Sequence, residues 1–259
     1  MNNSPSPYIG ITDFMTQEQV KNMLAVFLAH RSPDSKRKLH VGVMMSYKTL
    51  NGIPTKWTNA FPKNEDIHKI FLDDPNIFNV LHYADYDGID VLNNLVQATN
   101  FGIGMIDALQ LDMVWPDPTF VKEYRELWPQ VQIIIQGNTK ALELVDNDID
   151  RFVVRLKEYE HSIDYVLLDK SMGKGLGMDA VGLAPLAQVI QDELPHLGLA
   201  AAGGLGPDTM HLVQPLVELF PGISIDAQGQ LRSAGRTALD PIEWDRAEKY
   251  LIESLKILK

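Results

Sequence analysis

Residues 199–209, LAAAGGLGPDT, run from small apolar residues into paired glycines and then into Gly-Pro-Asp. The first part reads as the end of a buried strand, and the last part as the start of a helix at Pro207. Bare N–H groups at Gly203 and Gly204 can approach an anion closely, with the dipole of that helix behind them. Gly229, one unit later in ISIDAQG, can add another amide. Tight left-handed turns also demand glycine, so the pair supports two readings. Asp169 ends the apolar run YVLL, where burial favours the protonated carboxyl that a general acid needs. It could equally accept hydrogen bonds from loop amides. His82 lies inside NVLHYAD, a place that suits a core histidine as well as a functional one. Gln110 and Asp112 close DALQLD, Asp226 sits in ISIDAQG, and Arg232 follows it. Lys48, Lys56 and Lys170 are further loop cations, each as easily solvated as paired with an anion. Residues 171–179, SMGKGLGMD, have the glycine content of a lid but lack the G-x-x-x-x-G-K-[ST] spacing, which excludes a nucleotide-triphosphate loop.

These residues are spread over the chain, so strand ends must gather them. Short apolar runs alternate with amphipathic stretches throughout. YIGITDF precedes TQEQVKNMLAVFLAH, whose Val20, Met23, Leu24 and Phe27 share one helical face behind a Thr16 N-cap. LHVGVMMSY precedes a long connection over residues 48–64, and a loop of that length in a compact domain tends to be functional. NVLHYAD, MIDALQLDMV, VQIIIQG, YVLLDKS, LGLAAAGG and ISIDAQG continue the series, each followed by a helical pattern, including one helical region over residues 139–160. Strands this apolar are parallel and covered on their outer side. Eight units of roughly 30 residues predict a single (β/α)8 barrel over residues 1–259, with residues 1–7 a frayed terminus. In that architecture the chemistry lies at the C-terminal ends of the strands.

Composition narrows the partners. Of 259 residues, 45% are hydrophobic and 22% charged, enough apolar material for one substantial core. A net charge of −11 argues against nucleic acid or an anionic membrane surface. The chain has no cysteine, so thiol nucleophiles, thiolate metal sites and disulfides are excluded. No apolar run approaches the roughly 20 residues needed to cross a bilayer, and no leader pattern opens the chain. The expectation is a cytoplasmic protein, monomer or homodimer, without a cofactor. Asp112, Asp169 and Asp226 could converge on a cation, but the histidines lack ligand spacing, so no metal is expected.

Taken in order, the strand ends resemble the phosphoribosylanthranilate isomerase family, enzymes of tryptophan biosynthesis with a (β/α)8 barrel. GITDFMTQEQV is similar to that family's C-G-I-T segment, DALQLD to its Q-L-H-G, LLDKS to its L-L-D loop, and AGGLGPD to its A-G-G-L-x-P-E. The resemblance covers nearly the whole chain. It implies an Amadori rearrangement of a ribosylamine phosphate, with Asp169 as the acid that opens the sugar ring. It also places Gly203, Gly204 and Gly229 on the substrate phosphate.

Four departures bear on the chemistry. The position of the family's proton-abstracting cysteine is Ile9, and a missing general base costs about 10²–10⁴ in rate. The strand-four histidine position is Asp112, and SYKTLNGIPTKW replaces the family's basic segment after strand two. Asp226 stands three residues before Gly229 where the family has four, an offset expected to turn its side chain away unless the turn is realigned. The expectation is a divergent isomerase-like enzyme for a small phosphorylated metabolite. Asp169 would be the acid and Asp112, or less favourably His82, the base. His82, Gln110, Asp226 and Arg232 would contact the rest of the substrate. The competing expectation is a non-catalytic barrel that holds such a metabolite.

Overall fold

The computed structural model describes residues 4–169, 177–233 and 239–259. Eight strands, β1 (Tyr8–Thr12), β2 (Lys38–Ser46), β3 (Ile77–Asp85), β4 (Ala108–Met113), β5 (Gln132–Asn138), β6 (Tyr165–Asp169), β7 (Gly198–Ala202) and β8 (Ser224–Ala227), pair in chain order. All neighbours are parallel, and β8 closes onto β1 through Ile9 opposite Ile225. The helices are α1 (Gln17–His30), α2 (Tyr47–Leu50), α3 (Ile67–Ile70), α4 (Val91–Phe101), α5 (Pro118–Leu127), α6 (Thr139–Glu143), α7 (Ile149–Lys157), α8 (Ala180–Glu193), α9 (Gln214–Leu219) and α10 (Trp244–Ile257). The expected (β/α)8 barrel is therefore the observed fold. Among the described residues, no helix is long and apolar enough to cross a membrane.

Alternation along each strand divides the apolar residues between two cores. Ile9, Ile11, Leu39 and Val41 point outward and pack with Val20, Met23, Leu24 and Phe27 of α1 in the large outer core. Tyr8, Phe78, Ile134, Tyr165 and Leu167 point inward and fill the barrel. Tyr8, Phe78 and Tyr165 meet at centroid distances of 5.6, 5.4 and 5.7 Å, and His40 lies 4.9 Å from Tyr8. These rings stop the N-terminal half of the barrel. Above them, two inward glycines make room for polar groups. A Cβ on Gly10 would come within 2.5 Å of His40 Nδ1 and 2.6 Å of Asp226 Oδ1, and one on Gly42 within 2.5 Å of Thr12 Oγ1.

Local signals explain several boundaries and correct others. Thr16 caps α1 in a reciprocal box with Gln19, as its sequence predicts. The helical region over residues 139–160 is two helices, broken where Asp146 and Asn147 take φ of 57° and 58°. No helix opens at Pro207. A turn leads to a 3-10 helix at Met210–Val213 and then to α9, while Thr209 Oγ1 donates to the Gly204 carbonyl at 2.7 Å. The helix dipole expected behind Gly203 and Gly204 is therefore not there. Residues 4–7 are not frayed either: Ser4 Oγ donates to the Pro195 carbonyl, and the Tyr165 hydroxyl to that of Ser6 at 2.7 Å. Backbone hydrogen bonding of Lys38 to Pro7 continues that attachment.

Candidate active site

The C-terminal mouth of the barrel holds a cavity of ≈ 420 Å³. Its wall includes His82, Gln110, Asp112, Asp169, Gly203, Gly204, Asp226 and Gly229, so nearly every expected site residue is brought together. Gly203 and Gly204 follow β7 with φ of 96° and 72°, conformations that cost an L side chain about 1–2 kcal/mol each. Both glycines are thus required by the turn, and both also border the cavity. Among the described residues, the N–H groups of Gly203, Gly204 and Gly229 have no hydrogen-bond acceptor. Gly229 opens a 3-10 turn, Gly229–Leu231, on the neighbouring strand end.

Asp226 forms part of the floor. Its carboxylate accepts from Thr12 Oγ1 at 3.1 and 3.2 Å and lies 3.7 Å from His40 Nδ1. Burial pushes its pKa up to about 6, against the opposing pull of His82 and the Thr12 hydroxyl. Burial, assisted by His82, pushes His40 down to about 3, so the imidazole is neutral. The expected outward turn of Asp226 does not occur. Its register against Gly10 and Ala202, both beside the barrel interior, directs the side chain inward.

The opposite wall is built on β3 and β4. His82 Nε2 lies 3.6 Å from Asp112 Oδ2, and its Nδ1 lies 3.2 Å from Gln110 Nε2. Gln136, from β5, approaches His82 Nε2 at 3.4 Å. The Tyr86 hydroxyl donates to Asp112 Oδ1, and Lys140 Nζ sits 4.1 Å from the centre of the Tyr86 ring. Burial alone would raise the Asp112 pKa. The hydrogen bond and charge of His82, the Tyr86 hydroxyl and Lys140 outweigh it and hold the carboxyl below the usual range. Burial and the Asp112 charge push the Tyr86 phenol up. Asp169 ends β6 half-buried, opposite Asn138 of β5, and its charge adds to the upward pressure on Asp226.

Sequence reasoning missed the aromatic part of the wall. Trp57, Ala60 and Phe61 enter from the connection between β2 and α3, and Tyr86 from the end of β3. The signal was the length of that connection and the placement of Trp57 in a polar, proline-bearing stretch. Lys56 Nζ lies 4.6 Å from the Trp57 ring centre, and Asn59 Nδ2 donates to the Leu239 carbonyl at 2.6 Å, tying this loop to the one after β8.

Other expectations are corrected. Arg232 does not line the cavity. Its guanidinium is ion-paired to the buried Asp13 and donates to the Asp240 carbonyl, while Gln228 Nε2 donates to the other Asp13 oxygen at 3.1 Å. Ile9, matched to the family's cysteine, packs in the outer core, so this position could not present a base to the cavity whatever its side chain. Lys170 and residues 171–176 of the expected lid lie outside the described residues. Beyond them, Asp179 caps α8 by accepting from the Gly182 amide at 2.9 Å. Among the described residues, no group of three His, Asp or Glu side chains converges as a metal-ligand set.

No family model and no curated protein matches the sequence. Solved structures do match its shape. The carboxyl transferase domain of Rhizobium etli pyruvate carboxylase, with 3-bromopyruvate, superposes with a TM-score of 0.57 at 12% identity, over 99% of this chain and 48% of that one. The chain thus spans about half the length of that structure. The endo-β1,6-glucanase BT3312 gives 0.53 at 10% identity, over 99% and 77% of the two chains. A protein from Aquifex aeolicus VF5 gives 0.51 at 12% identity, over 98% and 94%. Likeness at such identities shows the fold alone: this chain shares the (β/α)8 barrel with enzymes of differing chemistry.

Proposed function

We propose that this barrel is an isomerase-like enzyme, related to phosphoribosylanthranilate isomerase, acting on a small phosphorylated substrate of the phosphoribosyl or phosphosugar type. The observation that carries this reading is the division of one cavity. Backbone donors without acceptors among the described residues lie at the β7 and β8 rim, and carboxylates in unlike environments line the rest. Barrels of this kind often hold phosphate at those loops.

The chemistry needs one acid and one base. Asp169 protonates the ring oxygen as the C1–O bond breaks, leaving an open-chain iminium formed with the amine lone pair. Asp112 then takes the proton from C2, and the resulting enolamine tautomerises to the ketose. His82 and Tyr86 hold Asp112 ionised and fix its orientation, which suits a base. Asp226, below, offers a hydrogen-bonding group to a substrate hydroxyl. The phosphate supplies binding energy remote from the reacting carbons, which an isomerase can use for positioning.

A second reading, a non-catalytic holder of the same metabolite, draws on the outward-facing Ile9, which leaves β1 without a base. One experiment separates the two. The protein is incubated with phosphoribosylated amines, and ketose formation is followed alongside a thermal-shift measurement. A ligand at 100 times its Kd adds about 2.7 kcal/mol of stability. Product together with stabilisation supports the enzyme, stabilisation alone supports the holder, and neither across a phosphosugar panel defeats both.

A further inference from the structure

We infer that Asp13 is the positioning residue of the cavity mouth: its carboxylate fixes the β8 turn that presents Gly229 and, through Arg232, the loop that carries Trp57. Only the consequence for anion binding rests on the phosphate reading proposed above.

Asp13 takes a φ of 87°, a conformation that residues other than glycine rarely adopt. Such strain persists where the surroundings over-determine it, and it gathers at working sites. Here the Asp13 and Phe14 amides both donate to the Gly42 carbonyl, at 2.9 and 3.1 Å, so β2 holds the turn after β1 in place. That turn sends two consecutive side chains to β8 and its loop. Thr12 donates to Asp226 on the floor, and the buried Asp13 reaches the residues beyond the strand end.

Both Asp13 carboxylate oxygens are engaged there. Oδ1 accepts from Gln228 Nε2 at 3.1 Å, and Oδ2 from the Arg232 guanidinium. Gln228 and Arg232 flank the 3-10 turn Gly229–Leu231, which the Arg232 amide closes by donating to the Gly229 carbonyl at 3.3 Å. One carboxylate thus grips this turn at both ends and sets the direction of the Gly229 N–H. Arg232 also donates to the Asp240 carbonyl, beside the Leu239 carbonyl that accepts from Asn59, two residues after Trp57. Gln228, Gly229 and Trp57 border the cavity, whereas Asp13 and Arg232 sit behind it. The ion pair therefore acts on a ligand through its neighbours.

The test pairs hydrogen exchange with calorimetry on the whole chain, with ribose 5-phosphate as the probe. Asp13→Asn keeps the shape and the tolerance for positive φ but removes the charge. The amides of Leu231, Arg232 and Ala60 are hydrogen-bonded to Gln228, Gly229 and Trp57. In Asp13→Asn they are expected to exchange about tenfold faster while the amides of β5 are unchanged. The Kd for ribose 5-phosphate should rise about tenfold, equivalent to about 1.4 kcal/mol. A merely structural pair would speed exchange over the whole barrel and leave the affinity of the folded protein as it was. Parent-like exchange at the three amides, a rise shared with β5, or parent-like affinity overturns the inference. Should Asp13→Asn fail to fold, Arg232→Lys carries the test, because it keeps a point charge for Asp13 without the fork that also reaches Asp240. In that variant Ala60 should exchange faster, and exchange as slow as in the parent overturns the inference. If ribose 5-phosphate does not bind the parent, the phosphate reading falls, while exchange at Leu231, Arg232 and Ala60 still decides the role of Asp13.

Discussion

The wall around Asp112 and the floor around Asp226 use the same side chain to opposite ends. At the wall, Tyr86, His82 and Lys140 surround the carboxylate with donors and positive charge, and its pKa falls. On the floor, burial outweighs the pull of His82, the Thr12 hydroxyl and the Ala227 amide, and the pKa rises to about 6. Both residues border one cavity, so environment alone sets their protonation. The ionised Asp112 suits the role of base proposed for it, while Asp226 is left to hydrogen bonding on the floor. The floor is also tied to the interior, where Asp226 neighbours a neutral His40 above the ring stopper.

The largest expected effect breaks the wall. Asp112→Asn removes the proposed base and should lower kcat by about 10²–10⁴ while phosphate affinity is kept, as read by steady-state kinetics and calorimetry. Full activity in that variant would remove Asp112 from the mechanism. Next, Arg232→Ala strands the buried Asp13 charge beside the β8 loop and should cost about 3–5 kcal/mol in urea unfolding. A loss below 1 kcal/mol would mean that the pair does not hold this side of the mouth.

The third prediction isolates the floor. In the folded chain Asp226 keeps a proton up to about pH 6 that the unfolded chain releases near pH 3.8. Its contribution is therefore present below pH 3.8 and is lost as pH rises through 6, a difference of about 3 kcal/mol. Asp226→Asn should be more stable than the parent at pH 8 by up to that amount, with the gain absent at pH 4. Equal gains at both pH values would show that proton linkage is not the cause. The smallest effect tests the rim: Gly203→Ala should cost about 1–2 kcal/mol through its positive φ. Phosphate-ligand affinity should fall with it if the β7 turn shapes the anion site.

The barrel was legible because eight apolar runs, each with a helical pattern behind it, leave few other ways to bury both strand faces. The strand-end rule then brought Asp112, Asp169, Asp226 and the three glycines to the mouth. What escaped was decided by geometry that spacing does not carry. Asp226 faces inward because of its register with β1 and β7, and a one-residue shift would reverse it. Ile9 faces outward by the same alternation. Arg232 looked like an anion partner until Asp13, 219 positions earlier in the chain, proved to hold it. Trp57 lies in a loop whose path follows from its tie to Leu239, and no periodicity encodes that contact.

The rings of Tyr8, Phe78 and Tyr165, with His40 beside them, make this barrel a cup and not a tunnel. A ligand in the cavity would therefore come and go by the mouth. A polymer could offer only a terminus, because there is no back door to thread.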